Sequence, residues 1–390
     1  MVYEPREDSF LILKEIKNYA IGNVLDMGTG SGILAIEAAK TADVVIGADI
    51  NETTLDYAKH NLKLKGLKNI KFVKSDLFSY FKKHPMMFDL IIFNPPYLPK
   101  DIREPFESAL ETTGGEKGYE LLEKFFSEVS SYLMPDGKVL VLFSTLTGKD
   151  KVHSIMEEHG FSFQKLSEEP LFGEILLVYI AEKSEILNFM EDREIKNIKR
   201  LAKGHRGLVF TGTLDGKKIA LKKQREDIAV TTSVRNETRW LKLLNRKGIG
   251  PKLLFSGNDY FAYEFVKGIF IPEFLEKASK EAIKKVLIKV FNQCFILDKM
   301  NINKEEMHNP YKHVIVGKEV VLIDFERVHF SEKPKNVTQF CQYVSSQKIT
   351  EVLKKKGFKF TKKQIISAAQ KYKKDMSEEN FEKILKLIKI

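Results

Sequence analysis

The sequence predicts two domains: an α/β domain built on a mostly parallel sheet of about seven strands, then an α+β domain. Three observations carry this. Short apolar runs alternate with helical stretches through the first half. Each of these runs ends in Gly, Asp, Ser or Asn, at the strand ends where open parallel sheets place ligands. The chain has 390 residues, 43% of them hydrophobic, and only 12 prolines, enough for two cores.

The first run, Asn23–Met27, leads into Gly28-Thr29-Gly30-Ser31-Gly32, a tight turn opening a helix, whose glycines let backbone approach a ligand. Such a turn suits NAD, FAD or S-adenosylmethionine, and its spacing departs from the G-x-G-x-x-G of dinucleotide folds. The second run, 44–48, ends in Asp49, about 20 residues after the glycines, where a carboxylate accepts from ribose hydroxyls. The third, Ile70–Lys74, ends in Ser75-Asp76, suited to an adenine amino group. The fourth, Phe88–Phe93, ends in Asn94-Pro95-Pro96-Tyr97.

That last tetrapeptide offers a planar –NH2 group three things at once. The Asn94 side-chain oxygen and the Pro95 carbonyl accept its protons, Pro96 stiffens the turn, and Tyr97 gives a face to stack on. The ordered set predicts a class I, Rossmann-like S-adenosylmethionine-dependent N-methyltransferase. Beyond it, 119–134 has helical periodicity, Pro135-Asp136-Gly137 reads as a turn, and 138–143 and 174–180 read as the remaining strands. The expected boundaries are 1–183 for this domain, 184–197 for a charged linker or connecting helix, and 198–390 for the second domain.

Through Asp26-x-Gly28-x-Gly30-x-Gly32 and Asn94-Pro95-Pro96-Tyr97, the first half resembles the HemK/PrmC family of protein-glutamine N5-methyltransferases. The opening Tyr3-Glu4-Pro5-Arg6-Glu7-Asp8-Ser9-Phe10 resembles the archaeal and eukaryotic branch, which lacks an N-terminal helical domain. The resemblance implies that Asp26, Gly28, Gly30, Gly32, Asp49, Asp76 and Asn94 hold the cofactor, and that Asn94, Pro95, Pro96 and Tyr97 form the acceptor site. It implies as substrate the glutamine of the Gly-Gly-Gln loop in a class-I translation release factor, and as partner a small zinc-binding activator subunit. Relatives of similar sequence modify protein lysine, and the same tetrapeptide serves nucleic-acid adenine-N6 methyltransferases. By themselves Glu7 and Asp8 read as solvated charges at a frayed terminus.

Charge bears on the acceptor. Residues 1–183 hold 21 Lys and Arg against 28 Asp and Glu, whereas residues 184–390 hold 43 against 25. Nucleic-acid affinity is dominated by backbone neutralisation, so an acidic catalytic half favours a protein acceptor, and the basic half suits contact with RNA or a ribosome. Two cysteines, Cys294 and Cys341, far apart in sequence, argue against a disulfide framework or a cysteine zinc site and point to reducing cytosol. No run approaches the roughly 18 apolar residues of a membrane span, and Met1-Val2-Tyr3-Glu4 lacks the features of a leader, so a cytoplasmic protein is expected.

The second half opens with Leu201-Ala202-Lys203-Gly204-His205-Arg206-Gly207, then a run ending Ile219-Ala220-Leu221-Lys222. A glycine turn followed by a strand lysine is how protein kinases cover and pair ATP phosphates. Glu237, in the helical run 236–244, is placed to pair with Lys222, and 263–268 reads as a hinge. Asp324, ending the run 320–323, is placed to hold Mg²⁺. This half resembles the archaeal RIO-like, atypical Ser/Thr kinases, which implies ATP at Gly204, Gly207, Lys222 and Glu237. It departs from them in the catalytic loop, 304–316, which has no H-R-D; Glu306 or His308 is left to act as the base, and His313 falls where a metal-binding Asn is the norm. The other reading is a nucleotide-responsive adaptor without phosphotransfer. The lysine-rich tail reads as three amphipathic helices with wet basic faces.

Overall fold

The structure, a computed structural model, describes residues 5–101, 112–203, 207–224 and 232–389. It divides into two compact units, Met1–Arg200 and Leu201–Ile390. Tyr3, Glu4 and Gly204 lie outside the described residues.

The first unit runs α1 (Glu7–Tyr19), β1 (Asn23–Met27), α2 (Ile33–Ala38), β2 (Val44–Asp49), α3 (Glu52–Lys65), β3 (Ile70–Lys74), β4 (Phe88–Phe93), α4 (Glu120–Glu128), β5 (Leu133–Ser144), α5 (Lys149–Glu158), β6 (Phe161–Leu171), β7 (Glu174–Lys183) and α6 (Glu185–Glu191). Its seven strands lie in the order β3-β2-β1-β4-β5-β7-β6. The first five are mutually parallel, and β7 runs antiparallel to both of its neighbours. Strand order reverses between β1 and β4, which opens a crevice at their carboxyl ends.

Burial on both faces explains why the central strands β1, β2 and β4 read as continuous apolar runs instead of alternating ones. Along β4, Leu90 and Ile92 pack on one side with Leu11, Ile12 and Ile16 of α1 and Leu34 of α2. Ile91 and Phe93 pack on the other, with Phe125 and Phe126 of α4 and Ile155 of α5. Phe93 and Phe125 stack with centroids 4.2 Å apart, so the strand that carries Asn94 is anchored at its last residue.

One stretch differs from the sequence reading. Pro135-Asp136-Gly137 is a bulge inside β5 and not a turn before it: Phe88 pairs with Leu133 and Leu90 already with Lys138. A proline is tolerated there because a bulge frees it from the ladder. The segment 184–197 holds α6, capped by the Ser184 hydroxyl on the Leu187 amide, and then begins a strand.

The second unit begins on β8 (Lys196–Lys203), the strand on which the chain leaves the first, and continues β9 (Gly207–Leu214), β10 (Lys217–Gln224), α7 (Thr232–Leu244), β11 (Leu253–Ser256) and β12 (Tyr260–Glu264). These strands form a sheet in the order β11-β12-β10-β9-β8. The rest is mainly helical: β13 (Gly268–Phe270), α8 (Ile271–Lys277), α9 (Lys280–Lys299), β14 (Ile302–Asn303), β15 (Val314–Gly317), β16 (Val320–Leu322), β17 (His329–Phe330), α10 (Asn336–Val344), α11 (Gln347–Lys355), α12 (Lys362–Lys374) and α13 (Glu378–Lys389). The tail helices bury Ile349, Leu353, Ile365, Tyr372, Ile384 and Ile388, leaving their lysines outward as the amphipathic pattern requires.

One buried polar network holds α9, the loop after β14 and the start of α10 together. Asp298, 3% exposed, accepts from the Asn336 amide and side chain at 3.0 and 2.7 Å, from the Val337 amide at 3.2 Å and from the Tyr372 hydroxyl at 3.1 Å. Asn336 in turn donates to the Ile302 carbonyl and accepts from the Lys304 amide. Among the described residues no helix is long and apolar enough to cross a membrane.

Candidate active site

Parallel pairing sets the site. Met27 of β1 is level with Ala48 of β2 and Phe93 of β4, so Gly28, Asp49 and Asn94 leave adjacent strands at the same height. Adjacent parallel strands lie about 4.8 Å apart, which brings the glycine turn and the Asn94 turn together across the switch point. Asp49 is level with Lys74, so Ser75 and Asp76 follow at the next strand end.

Asp26 organises the glycine turn from beneath. Wholly buried, it accepts the Thr29 hydroxyl at 2.6 Å and the Ala35 amide at 3.0 Å through one oxygen, tying the turn to the first residues of α2. Burial pushes its carboxyl up to about 7, against the lowering effect of those two bonds. Its Oδ1 is buried and accepts no hydrogen bond among the described residues. Gly30 and Gly32 have φ of 54° and 80°, a region that costs an L side chain strain.

Asp49 closes the rim. Its carboxylate takes the Gly30 amide at 3.0 Å and the Asn51 amide at 2.9 Å, holding the tip of the turn against β2. Asp76 is exposed and pairs with Lys124 of α4 at 3.1 Å, while the buried Ser75 hydroxyl caps the following turn at the Tyr80 amide.

At the turn after β4, Asn94 Nδ2 donates to Asp8 Oδ2 at 3.1 Å, and Asn94 Oδ1 is buried with no partner among the described residues. Asp8 is 6% exposed, in the first turn of α1, so it is packed against this turn and is not a solvated charge. Tyr97 is held by its carbonyl, which accepts the Thr147 hydroxyl at 2.8 Å. Burial, and then the carboxylates of Asp8, Glu174 and Glu7, hold its phenol well above the usual range, so it stays neutral.

Residues 7–172 match the methyltransferase small domain family. The chain is 40% identical over 166 residues to a putative protein N5-glutamine methyltransferase of Methanocaldococcus jannaschii, a match spanning 82% of that protein and 42% of this chain. The chain belongs to this methyltransferase family. A release factor glutamine methyltransferase of Fusobacterium nucleatum is 29% identical over 211 residues, 58% of that protein and 50% of this chain. The chain thus spans only about three fifths of that bacterial relative. Among solved structures, the Mtq2-Trm112 complex of E. cuniculi, described as responsible for methylating the eRF1 termination factor, is 24% identical with a TM-score of 0.38, covering 47% of this chain and 99% of that one.

Enzymes of this methyltransferase family use S-adenosylmethionine, and the residues at the switch point fit it. A Cβ on Gly28 would meet nothing within 4 Å, and one on Gly30 only the Gly28 carbonyl at 3.9 Å, so the missing side chains leave open space over the turn. The unpartnered Asp26 Oδ1 is a buried acceptor awaiting a donor, and Asp49 stands at the rim for hydroxyls.

The second unit has its own cluster. Lys222 Nζ lies 2.6 Å from Glu237 Oε2 and 3.9 Å from Glu326. Burial would lower the Lys222 ammonium, but Glu237, Asp324 and Glu326 outweigh it and hold the group well above its usual range. Glu237 Oε1 accepts the Phe325 amide at 3.1 Å, and Asp324 sits at φ 62°. Gly207 opens β9 beside Lys222: a Cβ there would stand 3.4 Å from Lys222 Cε.

Of the two candidate bases, the structure places Glu306 in this cluster and His308 out of it. Glu306 lies 3.8 Å from His313 Nδ1 and 4.0 Å from Lys304 Nζ, and burial raises its carboxyl. His308 is exposed and faces the Glu305 carbonyl. His313, 3.9 Å from Asp324, is pushed down to about 4 by burial and by Lys304, so it is neutral at pH 7. Lys304 is wholly buried and donates to the Asp324 carbonyl, a contact no sequence pattern announced. Among the described residues no group of three or more His, Cys, Asp or Glu is arranged to hold a metal ion.

Proposed function

We propose that the first unit methylates the side-chain nitrogen of a protein glutamine, that of the Gly-Gly-Gln loop of a class-I translation release factor. The observation that carries this is the buried, unpartnered Asn94 Oδ1, level with the glycine turn across the β1–β4 switch. A primary amide answers that oxygen with one N–H and the Pro95 carbonyl with the other. The cofactor supplies an electrophilic methyl group. An amide nitrogen is a poor nucleophile because its lone pair is delocalised. Two hydrogen bonds from its protons raise electron density on it and orient it, so positioning carries most of the rate. The names of the relatives, glutamine methyltransferases of release factors and of ribosomal protein uL3, support glutamine over lysine or adenine.

The test is to incubate the full chain with labelled S-adenosylmethionine and a purified release factor, then map the label by mass spectrometry. Methyl on the loop glutamine is expected. Label on lysine, or in RNA or DNA, would replace this reading.

For the second unit we infer a protein-kinase-like, nucleotide-binding module, on the strength of the Lys222–Glu237 pair beside Asp324. Lys222 with Gly204 and Gly207 would hold ATP phosphates, Asp324 would take Mg²⁺ jointly with them, and Glu306 rather than His308 would accept the substrate proton. Phosphate transfer from labelled ATP to protein supports a kinase. ATP binding without transfer supports the adaptor reading, in which the basic half brings the methyltransferase to the translation machinery. No ATP binding sinks both.

A further inference from the structure

We propose that Asp8 is a positioning residue for methyl transfer: it fixes which end of the Asn94 amide faces the acceptor. This rests on Asn94 being the acceptor site, as argued above.

The two atoms of an asparagine amide are opposite in kind, a donor nitrogen and an acceptor oxygen, and the side chain serves a planar N–H acceptor group only with its oxygen inward. Nothing in Asn94's own strand dictates that orientation. Asp8 does. An ionised carboxylate accepts hydrogen bonds and donates none, so Asn94 must turn Nδ2 toward Asp8 Oδ2, at 3.1 Å, and Oδ1 away from it. The Oδ1 so presented is buried and without a partner among the described residues, the state of an acceptor kept for a ligand.

Asp8 is itself held. It lies in the first turn of α1, where the helix dipole favours a negative charge, and its other oxygen takes the Ser9 amide at 2.6 Å. Leu11, Ile12 and Ile16 of the same helix pack against Leu90 and Ile92 of β4, the strand that ends in Asn94. Donor and acceptor are therefore carried by two elements of one core. Donation to a carboxylate also polarises the amide, drawing charge onto Oδ1 and strengthening the bond it makes to an incoming N–H. Asp8 touches neither nitrogen nor methyl in this scheme; it acts through Asn94.

The test uses the full chain with asparagine labelled by ¹⁵N, the Asn94 side-chain signals being assigned by their loss in Asn94→Ala. In Asp8→Ala these signals should shift and their protons exchange faster with water. Affinity for S-adenosylmethionine should stay within about twofold, while kcat falls about tenfold or more with little change in KM for the acceptor. Asp8→Asn, the same size but able to donate, should lose kcat as well, and it stands in if Asp8→Ala does not fold. Unchanged Asn94 amide signals, full kcat in Asp8→Asn, or cofactor affinity falling in step with kcat would each overturn the proposal. The spectra need no acceptor. If no protein glutamine is methylated, the function reading falls while the Asp8–Asn94 relation is still decided.

Discussion

Lys222 and Glu237 form an ion pair of 2.6 Å, and the carboxylate that holds the ammonium also accepts the amide of Phe325 at 3.1 Å. One side chain, 4% exposed, thus joins strand β10, helix α7 and the loop that carries Asp324. Its two oxygens do separate jobs, and the charge on one sets the strength of the other.

Removing the lysine strands that charge. Lys222→Met should destabilise the second unit by about 3 kcal/mol, the usual cost of leaving a buried partner unpaired. Adding Glu237→Gln should recover part of the loss, because a neutral amide still accepts from Phe325 without needing a cation. Unfolding of the single and double variants in urea gives the coupling, and strictly additive losses would show that the pair is not energetically linked.

Asp26 makes stability depend on pH in a definite direction. Its carboxyl titrates near 7 in the folded chain and near 3.8 when unfolded, because burial disfavours the charge. The folded state therefore binds more protons between these values. The stability this group contributes is full below pH 4 and is lost as pH rises toward 7, by about 4 kcal/mol at most. Asp26→Asn, which keeps an oxygen for Thr29 and Ala35, should remove that slope. Thermal unfolding of both proteins from pH 4 to 8 measures it: the midpoint of the wild type should drop relative to the variant as pH rises.

The first unit was legible because its signals are local. The central strands announce themselves by apolar runs, and Gly28, Asp49, Asp76 and Asn94 sit at a strand end or within two positions past it, where the register of a parallel sheet brings them; β6, of which only the first residue is buried, carries no such run. Asp8 was not legible in this way: a carboxylate in a charged opening segment has no period to read, and its partner lies 86 residues on. The same holds for Lys304, which looks like a surface residue in a charged loop yet is wholly buried against the Asp324 carbonyl. The bulge at Pro135-Asp136-Gly137 was misread because turn-forming residues give one signal whether the chain reverses or merely steps aside in a strand.

The Asp298 network is a second feature invisible in sequence, and it predicts a large effect from a small change. Asp298→Ala would leave the Asn336 and Val337 amides and the Tyr372 hydroxyl without an acceptor in a buried setting. A loss of about 4 kcal/mol is expected, near the upper end for single substitutions. Asp298→Asn keeps one acceptor oxygen and should cost less. Guanidinium unfolding separates the two, and equal losses would mean that volume rather than hydrogen bonding is what Asp298 supplies.

Asn94→Ala tests the acceptor site itself. Its side chain makes one bond to Asp8 and offers a buried oxygen to nothing else among the described residues, whereas the glycine turn is organised by Asp26, Thr29 and Asp49. Cofactor affinity, read by calorimetry, should therefore stay within a few-fold of wild type. Turnover should fall by about a hundredfold to a thousandfold, the scale on which loss of one preorganised hydrogen-bonding group is felt in a transition state. Asn94→Asp separates shape from chemistry. It keeps the size but sets a second carboxylate 3.1 Å from Asp8, so two like charges compete for one proton. Turnover in Asn94→Asp should be low above neutral pH and recover in part as pH falls and a shared proton restores the donor toward Asp8. A flat pH profile, or wild-type turnover in either variant, would show that the acceptor nitrogen is held elsewhere.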